Sequence, residues 1–206
     1  MHDTVTVKQA KSIMGSNCIN PLSDIQSERV SFDKTVELPS IPFSVEEIES
    51  KKNDYYLILG LDSFSDNTPI TIRNLIKVFG KDPSKNEPCF YNQDWYDMED
   101  FIDVSLRKEW FFIRKKVIEG SRAVQPEELI KKYEFPSAIR CTYAFFVVWL
   151  SRGDKLWYHD FVWCSDTDHN GDRIYVGKYH DVDGVNKNGF SIHRHLSLRS
   201  CYGCID

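Results

Sequence analysis

A chain of 206 residues with a formal net charge of -5 is long enough to bury a core without disulfides or a structural metal, and its acidic balance argues against a general nucleic-acid binder. Thirteen Phe, ten Tyr and five Trp put large flat side chains at the centre of the packing. No apolar run reaches membrane-spanning length, the first residues lack the basic-then-apolar order of a signal peptide, and six cysteines are scattered along the chain. Together these features predict a cytoplasmic protein with reduced thiols and no membrane partner.

In chain order, TVKQAKSIMG reads as a short helix capped by Thr6 and stopped by Gly15, with Val7, Ala10, Ile13 and Met14 on one face. NPLSDIQ adds a turn from Pro21, and residues 27–43 carry no sustained period. Residues 1–43 are therefore expected to form a helical appendage and connector, and residues 44–206 a single α+β domain. In SVEEIESKK, Ser44 and Glu47 stand in the capping-box relation. DYYLILGL, residues 54–61, has too little polarity to face water on either side and predicts a central strand. TPITIRNLIKVFG predicts a helix starting at Thr68 and Pro69, with Ile72, Leu75, Ile76 and Phe79 on one face and Gly80 closing it.

CFYNQDWYDMEDFIDVSL is acidic and aromatic and is expected to turn helical near Met98. RKEWFFIRKKVI follows as a strand with basic flanks that invite pairing with those acids. Its aromatic and cationic side chains also suit a single strand of nucleic acid, but lysines on an edge strand explain them more simply. Helices are predicted from Pro126 in QPEELIKKY and from Pro136 in FPSAIRCTYAFFVVWL, the second apolar nearly all round and so buried. KLWYHDFVWC, DRIYVGKYH and GFSIHRHLSLR then alternate with turn-rich SDTDHNG and DVDGVNKN, predicting a three-stranded antiparallel meander that the strand at 54–61 joins. The expected class is α+β, an antiparallel sheet packed against helices from the first two-thirds of the chain.

Strand alternation in GFSIHRHLSLR places Phe190, Ile192, Arg194, Leu196 and Leu198 on one face and Ser191, His193, His195, Ser197 and Arg199 on the other. The two imidazoles of that polar row lie about 7 Å apart along the backbone, close enough to converge on one ion. His159, Asp160, Asp166 and Asp168 lie on or beside the neighbouring strand, and imidazole with carboxylate suits zinc, manganese or iron, with zinc or manganese the expected metal. The expected site is His193 and His195 as metal ligands or acid and base, Asp166 and Asp168 as further ligands, and Arg199 for an anionic substrate group in a hydrolytic reaction. The other expectation is a non-catalytic module that binds a protein partner, with the histidine row incidental.

SDTDHNGD resembles the opening of a calcium loop, with Asp166, Asp168, Asn170, Gly171 and Asp172 at the first, third, fifth, sixth and seventh positions. It departs at Arg173 and at Gly177, where an aliphatic and a bidentate glutamate belong, and Asn170-Gly171 is itself a hairpin signal. FYNQDWY, residues 90–96, reads either as a loop tied to the core edge or as the lining of a pocket. Cys201 and Cys204 form one C-x-x-C without a second ligand pair and are expected to be incidental.

Overall fold

The computed structural model describes residues 5–178, 189–194 and 198–206. Helix α1 (Val7–Met14) starts where expected: the Thr6 hydroxyl accepts from Gln9 N, the Gln9 side chain closes a capping box, and Gly15 ends the helix at φ 56°. A two-residue strand, β1 (Cys18–Ile19), and a single helical turn, α2 (Pro21–Asp24, capped by Asn20), follow. Helix α3 (Val45–Lys51), whose Glu47 N–H donates to Ser44, leads into β2 (Tyr55–Leu59), which is buried along its whole length.

The central position of β2 explains that burial. It pairs in parallel with β1 and antiparallel with β3 (Trp110–Arg114), giving a three-stranded sheet in the order β1-β2-β3. The segment before β3 forms only a 3₁₀ turn at Asp100–Asp103 rather than a helix from Met98. Two of its acids pair away from the basic strand, Asp103 with Arg73 and Asp97 with Lys81. Arg73 belongs to α4 (Ile72–Phe79), which starts three residues later than Thr68 and Pro69 suggest. Residues 68–70 are held extended against residues 62–64 by Phe64 N to Thr68 O and Ile70 N to Asp62 O, so Thr71 becomes the cap and accepts from Asn74 N.

After the single turn α5 (Pro126–Leu129), α6 (Ala138–Arg152) runs from the Ser137 cap to left-handed Gly153. From Ala138 to Val148 only Arg140 escapes full burial, because α6 lies between α4 and the second sheet. Phe146 stacks on Phe79 with ring centroids 4.0 Å apart, and Phe145 meets Phe190 at 4.6 Å. Such aromatic pairs contribute about 1 kcal/mol each beyond area burial.

The second sheet has four strands in the order β6-β5-β4-β7. β4 (Phe161–Thr167), β5 (Arg173–Lys178) and β6 (Phe190–Arg194) pair antiparallel in succession, and β7 (Tyr202–Gly203) joins β4 in parallel. The α+β class holds, with two corrections: both sheets are mixed, and the strand at 54–61 belongs to the first sheet rather than to the C-terminal one. β4 begins at Phe161 because Trp157 and His159 take positive φ values, 49° and 71°, that turn the chain just before it.

The main core draws on residues from Val5 to Ile205, including Ala10, Met14, Cys18, Ile19, Ile25, Val30 and Ile41 of the first 43. A smaller core covers the other face of the second sheet, where Phe161, Trp163 and Tyr175 pack with Leu129, Phe135 and Tyr202. Among the described residues no helix is long and apolar enough to cross a membrane.

Candidate functional site

Side chains of β6 alternate as expected, but the face shared by Ser191 and His193 is not a solvated row. It meets the smaller core: the His193 ring stacks on Tyr175 at 5.5 Å and meets the edge of Phe161 at 5.4 Å. Burial pushes the imidazole down to about 4, so it is neutral near pH 7.

Its tautomer follows from one amide. Gln93 Oε1 accepts the Ile192 N–H at 3.2 Å, so Gln93 Nε2 faces His193 Nδ1 at 3.3 Å and that nitrogen must accept. The ring proton therefore sits on Nε2, and neither nitrogen presents a free lone pair to a metal. His195 lies outside the described residues. Arg199 is exposed, and its side chain makes no hydrogen bond or ion pair among the described residues.

Asp166 and Asp168 separate. Asp166 Oδ2 accepts Ala138 N at 2.6 Å at the start of α6, and burial raises its pKa against that hydrogen bond. Asp168 turns into the β4–β5 hairpin, where Oδ1 accepts from Asn170 N at 2.9 Å and Asp172 N at 2.8 Å, and Gly171 supplies the left-handed residue at φ 86°. The calcium-loop arrangement is absent, because these two carboxylates serve different backbone donors. Asp160 is engaged elsewhere, in a two-pronged pair with Arg122 at 2.7 and 3.1 Å.

Asp168 nevertheless belongs to a second cluster. Its Oδ2 lies 2.6 Å from Arg194 Nη1, and the next residue in the turn, His169, donates its backbone N–H to Glu99 Oε2 at 2.9 Å while its Nδ1 lies 2.6 Å from Glu99 Oε1. Arg194 Nη1 is 3.6 Å from the same Glu99 oxygen, and its guanidinium lies over Trp95, 4.7 Å from the ring centroid. Among the described residues, Glu99, Asp168 and His169 form the group of three whose ligand atoms lie within 4.8 Å of one another. The Glu99 and Asp168 side chains are 5% and 0% exposed, whereas His169 is 66% exposed. Burial by itself would raise the Asp168 carboxyl, but Arg194 and the two turn N–H groups outweigh it and hold it below the usual carboxylate range.

The chain folds this way because the FYNQDWY loop closes the free edge of β6. Tyr91 N donates to Phe190 O and Phe190 N to Cys89 O, both at 2.8 Å, and Trp95 Nε1 donates to Ile192 O at 3.0 Å. That docking carries Glu99, four residues past Trp95, to the turn bearing His169. Of the residues expected from the sequence, only Asp168 enters this cluster; Glu99, His169 and Arg194 were not expected there. His169 stands beside Asp168 in SDTDHNG and is visible as a candidate, but Glu99 is 70 residues away and no local pattern links them.

No protein-family model matches the chain, and no curated protein or solved structure shows a significant match to it.

Proposed function

We propose that the protein binds a divalent transition metal, zinc or manganese, at Glu99, Asp168 and His169, and that this centre serves hydrolysis of an anionic ester. The convergence of two buried carboxylates and one imidazole within 4.8 Å carries the reading. Ligands about 2.1 Å from one ion stand at most about 4.2 Å apart, so the three side chains need draw in only slightly. Mixed nitrogen and oxygen ligands suit these metals.

Charge supports the same reading. Glu99 and Asp168 bring two negative charges and Arg194 one positive, which leaves a net negative charge that attracts a cation. Binding would exchange cations at Asp168, and Arg194 would keep its perch on Trp95. A metal-bound water is a nucleophile near neutral pH, and the released guanidinium is placed to receive an anionic group of the substrate.

A second reading rests on the Arg194–Asp168 contact of 2.6 Å. There the cluster is a clamp joining residue 99, the hairpin and β6 in a non-catalytic protein-binding module. Titration calorimetry with zinc and manganese decides between them. One site per chain, lost in Asp168→Asn and His169→Ala, supports the metal centre; absence of binding to the folded protein refutes it and leaves the clamp.

A further inference from the structure

A cleft of about 720 Å3 opens between the segment leading into β3, the connector from α5 to α6, and the first turn of α6. Its volume falls in the range of small-molecule sites. Two cations line it, Arg107 from the segment before β3 and Lys132 from the connector, both exposed and with side chains neither hydrogen-bonded nor ion-paired among the described residues. A third, Arg140, is already paired with Glu109, and Glu134 adds one opposing charge to the lining. The unpaired charges therefore sum to one positive in a chain whose formal charge is -5.

The floor adds a donor. Asp166 takes the Ala138 N–H and Ser137 takes that of Arg140, but the Ile139 N–H between them has no acceptor among the described residues. Carbon completes the walls: Val104 and Ile130 line the cleft and are 47% and 44% exposed.

We propose that this cleft binds an amphipathic organic anion, a carboxylate, sulfonate or phosphate monoester on an aromatic or aliphatic body. Arg107 and Lys132 hold the charged head, and Val104 and Ile130 flank the body. The site is independent of the metal centre and requires none of its ligands.

The probe is 1-anilinonaphthalene-8-sulfonate, with N-phenyl-1-naphthylamine as its uncharged counterpart, each titrated by fluorescence into the folded chain. The expected result is one saturable sulfonate site that weakens about tenfold or more in Arg107→Ala/Lys132→Ala, the loss expected for charge-assisted hydrogen bonds. The double variant should leave the circular dichroism unchanged and the uncharged probe unaffected, while Ile130→Ser should weaken both probes. Both replaced cations face solvent, and either single substitution should move binding in the same direction. Equal affinity for the two probes, sulfonate binding indifferent to the double variant, or no binding would each overturn the proposal.

Discussion

His193 is held neutral by aromatic neighbours and by one amide, and this has a consequence for stability. Its folded pKa is about 4, whereas an unfolded histidine titrates near 6.5. Between those values the unfolded chain takes up a proton that the folded chain refuses. The contribution of this residue is therefore complete above about pH 6.5, declines as pH falls toward 4, and changes no further below that. The gap corresponds to at most about 3 kcal/mol. Urea unfolding of His193→Gln, followed from pH 7 to pH 4, is expected to show a shallower loss than the parent; an identical slope would mean that the ring is not shielded as described. Arg194 allows a second test at the same scale. In metal-free protein, Arg194→Ala leaves a fully buried Asp168 without its cation and is expected to cost about 2–3 kcal/mol in the same assay. A neutral substitution would show that the carboxylate needs only the turn N–H groups.

At the scale of elements, the pairing of β4 with β5 depends on a close backbone approach. Gly177 lies opposite Phe161, and a Cβ there would overlap the Asp160 carbonyl oxygen, an atom of backbone that cannot turn aside. Gly177→Ala is expected to cost about 3 kcal/mol, measured as a lowered midpoint of thermal unfolding, and a variant as stable as the parent would refute this approach. Longer elements were legible because their signals are local: Thr6 and Gly15 bound α1, apolarity nearly all round marks α6 as buried although it starts at Ala138 rather than Pro136, and unbroken apolarity marks β2 as interior. β1 and β7 were not, since two residues cannot establish a period and their strand character comes from the partners they meet. Thr68 misled as a cap because bridge hydrogen bonds hold residues 68–70 extended against residues 62–64 and pass the role to Thr71.

At the scale of the whole molecule, alternation correctly divided β6 into two faces but left open what covers each. Of the expected polar face, His193 lies against a second core, and the aromatic residues Phe161, Trp163 and Tyr175 on the adjoining strands were its visible trace. The cluster at Glu99, Asp168 and His169 is a product of long-range assembly, which requires the 89–96 loop to dock on β6 before Glu99 can meet the hairpin. The first 43 residues feed the same main core as the C-terminal strands, so the environment of this cluster is set by the chain as a unit.

Elemental analysis of untagged protein, purified without chelator, is the decisive test of the metal centre. Zinc or manganese is expected near one equivalent per chain, falling below about a tenth in Asp168→Asn and His169→Ala variants that keep their fold. Parent protein that is folded, free of both metals and unable to take either up on dialysis would contradict it.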